Sequence, residues 1–447
     1  MTRQPSNPDS GAPGSNALAA GAARPATARA VRDAGAPSRL ETAAWVVLVG
    51  FVAALQVSIA AASILLTLVL ALWAALTAGG RLRPAVPAFF VPLAAYAAWT
   101  LVSVAGSARP IDSLVDAKEV LLFLVVPVVY GIARGRRAGT LATVVLSVGA
   151  ATAVIGIVQY AILEYDHLGR RPLGSMGHYM TYSGLLMLVL AVAGARLLFA
   201  PRDRVWAALV TPALCVALAL TFTRSAWVGA SVGVSLLCLL RVSQVVAQRD
   251  VRGLARTPVV AAAVFALAAL GFSVAPTAIT DRVYSTFDLQ DPTNRDRLAM
   301  VRVGAGMVRD HPLTGVGPEM VEVLYGDYRP EDAVNATNPH LHNVPLQIAA
   351  ERGLPALALW GWFVVAVVVG LARRFRQPDT RPLAAAGLAA VAAMLAAGMF
   401  EYNFGDSEFL MLLLVLVTLP ASAERNLPAE REAAATPGAA AAAPTRV

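Results

Sequence analysis

The 447-residue chain contains a single lysine, Lys118, and two cysteines, Cys215 and Cys238. Only 14% of its residues are charged, against about 25% in soluble domains. Hydrophobic residues make up 57% even with glycine left out. This composition excludes a soluble enzyme, a disordered regulator and a secreted disulfide scaffold. Both cysteines stand in apolar runs and suit neither a disulfide framework nor a thiolate metal site. The sequence has no HExxH, no CxxC and no Walker phosphate loop, which argues against a metalloprotease and an ATP-driven transporter. It also has no Asp-x-Asp pair of the kind that holds a metal–sugar-phosphate complex.

What the chain does have is apolar runs and arginine. A membrane-spanning helix needs about 20 apolar residues. Such runs cover 43–58, 60–78, 86–105, 119–133, 140–163, 178–199, 205–221, 225–240, 258–274, 346–371, 382–400 and 408–420. Ala43 to Ala78 is too long for one span and short for two, so a tight hairpin near Gln56 and Ser58 is implied. The sequence thus predicts an all-α, polytopic integral membrane protein of twelve spans. Arginines alternate with the count. They fill the tail before residue 40, then the connections at 81–83, 134–137, 196–204, 241–256 and 373–381, then the tail at 425–431. By the positive-inside rule these connections and both termini face the cytoplasm. Most of the net charge of +8 is therefore a topology signal, and no nucleic-acid partner is expected. Residues 1–40 and 421–447 are rich in Ala, Gly, Pro and Ser, too poor in apolar surface to offset ordering, and read as disordered tails. The spans divide into 41–274 and 346–420 around a long outer loop, 275–345.

A loop longer than about 12–15 residues is usually functional or disordered. This one carries helical periodicity over 294–309, with Leu298, Val301, Ala305 and Val308 on one face and Thr293 or Asn294 as the cap. HPLTGVGPEM at 311–320 reads as a Pro/Gly-punctuated turn. All five histidines, at 167, 178, 311, 340 and 342, fall on the outer side or at its boundary. His167 and His311 read as caps or loop fillers, and His178 stands at the start of a span. His340 and His342 stand just before span ten, and at i, i+2 at most one of them faces a given site. Outer arginines run against the charge rule. Arg224 lies in a very short connection. Arg295, Arg302 and Arg309 recur every seven residues on the loop helix, with Arg297 beside them. Guanidinium suits bidentate binding of phosphate oxygens; a headgroup-facing stripe is the other reading of the helix set. No inverted repeat relates the halves, and no charge sits well inside a span, as a transporter would often show.

HNVPLQIAAERGLPAL, with His342-Asn343 and then Gly353 after nine residues, resembles the His-Asn…Gly motif of bacterial O-antigen ligases. DHPLTGVGPEM, TFTRSAWVGA and GSMGHYMTYSGLL are similar to further segments of the ligase/polymerase superfamily. Ala356 stands where the ligase motif has Gly, Thr or Tyr, and Arg224 precedes Ser225 where the order Ser-Arg is commoner. The resemblance runs from about residue 150 to 415. It implies a GT-C-like glycosyltransferase of the bacterial inner membrane with a periplasmic active site. Its reaction would move O-antigen glycan from undecaprenyl pyrophosphate to lipid A–core, among membrane lipids, inverting and with neither metal nor cofactor. His342 would be the catalytic base. Arg224, Arg297, Arg295 and Arg302 would bind the pyrophosphate. Asn343, His340 and Asp406 would support. An O-antigen polymerase, a protein O-oligosaccharyltransferase and a lipid-linked glycan transporter are the alternatives.

Overall fold

The computed structural model describes residues 38–248, 277–285, 288 and 290–425. Its ordered elements are all helical. The ninth run (258–274) and almost all of both tails lie outside the described residues. The first helix, α1 (Arg39–Ala54), opens on a capping box made by Ser38 and Glu41, so the N-terminal tail is ordered two residues earlier than expected. Then follow α2 (Ile59–Ala78), α3 (Phe90–Val104), α4 (Pro110–Ala117), α5 (Val125–Ile132), α6 (Arg136–Ile162), α7 (Tyr179–Phe199), α8 (Arg204–Leu220) and α9 (Arg224–Ala247). The outer segment adds α10 (Thr277–Tyr284), α11 (Pro292–Asp310) and α12 (Met320–Tyr328). Three helices close the chain: α13 (Val344–Phe375), α14 (Arg381–Ala397) and α15 (Ser407–Ala423). The expected tail from residue 421 therefore begins as the last turn of α15.

Five described helices, α2, α6, α7, α9 and α13, are long and apolar enough to cross a membrane. Four more, α3, α8, α14 and α15, are apolar but shorter. The chain is a membrane protein by these helices and its composition. The predicted hairpin is present: α1 ends, four residues turn, and the Ser58 side chain caps α2. The run at 119–133 is not one helix. A tight 3₁₀ stretch, Lys118–Leu124, leads into the short α5. Pro127 explains the change, because its ring cannot donate and crowds the carbonyl four residues back.

The bundle is built around α7 and α15, buried along nearly their whole length. α14 packs on α7, α9 and α15. Gly229 and Gly233 let α9 come close, since a Cβ at either would meet the Ala393 or Ala389 carbonyl at 2.7 and 3.0 Å. GASVG at 229–233 has the Gly-x-Ser-x-Gly spacing of a hydrolase elbow in letters alone; here it is continuous helix. Among the described residues, arginines of the connections at 134–137, 196–204 and 373–381 and of the C-terminal segment make contacts at one end. Arg137 lies over the Trp45 ring and Arg425 over Tyr130, at 5.0 and 4.5 Å. Arg196 donates to the Gly139 carbonyl, and Arg374 pairs with Glu424 at 2.9 Å.

Span ten departs most from expectation. α13 breaks at Gly353, whose φ of 80° and ψ of 170° fit only glycine. Pro355 lacks an N–H, and the Leu354 N–H turns out of the helix to the Pro312 carbonyl at 2.8 Å. The carbonyls of Ala350 and Glu351 accept from Val316 and Gly317 at 2.8 and 2.9 Å. The 311–320 turn thus docks on the break as an extra, non-helical ligand of the helix backbone. Glu351 and Arg352 are buried beside it, so this run does hold charge, contrary to expectation. The pair lies at the break, on a level with the outer turn.

A Cβ at residue 353 would stand 1.9 Å from the Leu313 carbonyl oxygen. Gly353→Ala combines this overlap with a glycine-only conformation, and should cost about 2 kcal/mol or more. A lowered melting midpoint in detergent is the expected readout; an unchanged midpoint would show that the turn does not need the break.

Candidate functional site

The outer loop folds as a small satellite of the bundle. Residues 294–309 are helical as predicted, but a different face is buried. Asp296, Ala299, Met300, Val303, Gly304 and Met307 face inward, while Leu298 and Val301 are exposed. The reason is local. Gly304 lets α11 sit directly on Leu341 and Leu346, and Asp296 is satisfied by Asn335, whose side-chain amide donates to it at 2.7 Å. Asp291 caps the helix by accepting from the Thr293 N–H, in place of Thr293 or Asn294.

That rotation sorts the arginines. Arg295 is exposed. Arg302 is exposed and paired with Asp332 at 3.1 Å, and Arg309 with its neighbour Asp310. The seven-residue stripe therefore faces away. Arg297 points inward instead, and its Nε is buried without a hydrogen-bond partner among the described residues. Burial lowers the Arg297 guanidinium below its ordinary value, while the nearby Glu401 carboxylate pulls it up.

Arg224 stands at the first turn of α9, 6% exposed. It donates to Asn294 at 3.2 Å and lies 4.0 Å from Asp291. Its electrostatic neighbours include three further arginines, Arg171, Arg282 and Arg297. Arg171 comes from the connection before α7 and lies over the Tyr179 ring at 4.3 Å; Arg282 comes from α10. Four guanidiniums thus gather from four parts of the chain. Asp291 and Glu401 are the carboxylates that offset them. Arg171 and Arg282 were missed from sequence. Each is an outer arginine, which was the available signal, but neither lies in a recognised motif.

The histidines meet a carboxylate here. His342 Nδ1 lies 3.0 Å from Glu401 Oε1, and His340 Nε2 lies 3.3 Å from the same oxygen. The two rings lie tilted to one another, with centroids 4.3 Å apart. Both therefore face one site, despite their i, i+2 spacing, because the segment is not helical and His342 adopts a left-handed φ of 48°. Burial works to raise the Glu401 carboxyl, but the bonds from His340 and His342 outweigh it and hold it well below the usual carboxylate range. Glu401 is the carboxylate that meets His342, whereas the sequence offers Asp406 as the support for His342 or an arginine. Asp406 instead caps α15 by accepting from the Phe409 N–H at 3.0 Å and accepts from the Thr181 hydroxyl. Asn343 caps α13, accepting from Leu346, and its amide donates to the Met399 carbonyl at 3.1 Å. The backbone repeats this tie, Val344 N–H to Gly398 carbonyl at 2.7 Å. The histidine segment and the Glu401 connection are laced together.

His340, His342 and Glu401 place their ligand atoms within 4.8 Å of one another, so their types would suit a divalent cation. The surroundings favour the opposite charge. Both imidazoles converge on one oxygen as hydrogen-bond partners, and Arg297 feels the charge of the same carboxylate. An imidazole–carboxylate pair beside gathered guanidiniums can take a proton from a hydroxyl while the arginines receive an anion. A second charged group adjoins it, in which Glu351 and Arg352 are buried and Glu319 is exposed. Glu351, Arg352, Asp116 and Glu319 cluster behind the 311–320 turn, with Arg352 3.5 Å from Asp116. Burial, then Asp116 and Glu351, raise the Glu319 carboxyl to about 7.

Residues 207–361 match the family model described as O-Antigen ligase. No curated protein matches the chain. That stretch is thus similar to the O-antigen ligase family, and it contains the TFTRSAWVGA, DHPLTGVGPEM and His342-Asn343 segments whose motifs resemble it. The match takes in Arg224, Arg282, Arg297 and His342, and leaves Arg171 and Glu401 outside.

A carboxyl raised by folding stabilises the protein fully below its unfolded value and loses that contribution as pH rises through the folded one. For Glu319 the window runs from the ordinary carboxylate range up to about 7. Glu319→Gln should therefore raise the melting midpoint relative to wild type at pH 8. The difference should fade toward pH 4.5. A difference that is flat across this range would mean that Glu319 stays charged.

Proposed function

We propose that this protein is an O-antigen ligase: it transfers completed O-antigen glycan from undecaprenyl pyrophosphate to lipid A–core on the periplasmic face of the bacterial inner membrane. The observation that carries the reading is the His342–Glu401 pair at 3.0 Å, set beside a group of arginines that includes Arg224 and Arg297. We read the chain as twelve spans with both tails cytoplasmic. Convergence of the arginine-bearing connections at the opposite end from His342 supports that orientation.

The mechanism follows from protonation. Glu401 is held ionised and can only accept, so His342 Nδ1 carries the proton and Nε2 holds the lone pair. That nitrogen takes the proton of the acceptor hydroxyl as its oxygen attacks the anomeric carbon. The bond from that carbon to the diphosphate oxygen breaks, and the diphosphate leaves with its electron pair. Arg224 and Arg297 receive the developing charge, with Arg171 and Arg282 around them. The proton remains on His342 until the product departs. One displacement by a hydroxyl inverts the anomeric carbon. Fixed guanidiniums do the electrostatic work that a metal does in other glycosyltransferases. Arg295 and Arg302, turned outward, are placed to meet headgroups or glycan rather than the diphosphate. His340 and Asn343 hold the pair in place.

His342→Ala should lower transfer by about 10²-fold or more, with membrane level and detergent melting unchanged. Full turnover in that variant would sink the mechanism. Purified protein given lipid-linked glycan should modify lipid A–core; chain extension without lipid A–core would mark a polymerase, and modification of a pilin-like protein an oligosaccharyltransferase. Transfer should also survive EDTA. Activity that disappears with the chelator and returns with magnesium or manganese would assign the two histidines and Glu401 to a cation instead.

A further inference from the structure

His342 adopts a left-handed φ of 48°, uncommon for a residue other than glycine. Its ring is held by Glu401, and its backbone segment is held from one turn further along. Gln347 is 1% exposed and spans two partners. Its Oε1 accepts from the Leu341 N–H at 2.7 Å, between the two histidines. Its Nε2 donates to Glu351 Oε1 at 2.8 Å. Glu351 Oε1 also accepts from the Glu319 N–H at 3.2 Å. Its other oxygen pairs with Arg352, whose guanidinium reaches the Tyr402 hydroxyl at 3.4 Å. Tyr402 follows Glu401 and donates its N–H to Glu401 Oε1 at 3.2 Å. One buried pair at the break in α13 therefore reaches both members of the site, by a side chain to the histidine segment and by another to the carboxylate segment.

We propose that Gln347 and Glu351 are positioning residues that hold the 340–342 segment so that His342 faces both Glu401 and the acceptor. The inference rests on His342 being the base. Neither residue touches substrate. Losing the bond to the Leu341 N–H frees the segment to leave the left-handed conformation, and a base displaced by about 1 Å can lose about 10²-fold in rate.

The test is Gln347→Leu in full-length protein, assayed with lipid-linked glycan and lipid A–core. Turnover should fall 10- to 100-fold, with KM for the lipid-linked donor unchanged. A general structural defect would instead lower the folded fraction or raise KM. Gln347→Met has the same reach and removes the same two bonds if the leucine variant does not fold. The decisive comparison uses His342→Gly with imidazole supplied in solution. Free imidazole is not held by the segment, so adding Gln347→Leu should leave the rescued rate within about twofold. An equal fall in rescued and unrescued backgrounds would overturn the proposal, as would wild-type turnover in Gln347→Leu. If His342→Gly keeps full transfer without imidazole, the ligase mechanism fails first and the positioning role with it. If His342→Gly is inactive and Gln347→Leu is not impaired, the positioning role alone fails.

Discussion

The clasp between the 311–320 turn and the break in α13 is the constraint on which the outer half of the protein depends. A continuous helix would keep its carbonyls to itself. By stopping at Gly353 and resuming at Pro355, α13 releases the carbonyls of Ala350 and Glu351 to Val316 and Gly317. Those bonds carry no sequence-dependent side chain, so register is set by the backbone alone. Trp99 adds a third strut, donating from its indole to the Arg352 carbonyl at 3.0 Å. The loop helix α11 then has a fixed floor to sit on, and its inward face delivers Arg297.

Burying Glu351 and Arg352 would be costly if either stood alone. Here both Glu351 oxygens and both terminal nitrogens of Arg352 have partners: each other, Gln347, the Glu319 N–H, Asp116 and Tyr402. The network behaves as one object because the removal of any member strands another in a poorly hydrated place. It joins a loop, a broken helix and the connection before α15, three segments far apart in sequence.

Much of this was legible in the residues. Apolar runs located most of the described apolar helices to within a few residues, the run at 119–133 being the exception, because burial in lipid demands composition and length together. The hairpin at Ser58, the outer helix and the histidine motif were equally plain. What escaped had a common physical cause. Periodicity named an apolar face for α11, yet Gly304 and the buried Asp296 rotated the helix, and with it the choice of arginine. Glu401 was visible as an outer acid, but nothing in sequence says that a residue 59 positions away folds onto His342. Pro127 and Pro355 announced breaks that hydrophobicity alone smoothed over. Residue type was readable; partnership across connections was not.

The arginine group has one more consequence. In the proposed reaction the donor's diphosphate is a diester, and cleavage would leave a diphosphate with a free terminal oxygen and a further negative charge. The gathered guanidiniums would then hold the spent carrier more tightly than the loaded one. Its release would set the pace of the proposed cycle, and the empty carrier would compete with the loaded one wherever it accumulates. Arginine does not shed its charge near neutral pH, so this grip does not loosen by deprotonation. It loosens when the carrier's own phosphate is removed or the lipid diffuses away, which ties turnover to how quickly the membrane clears the spent lipid.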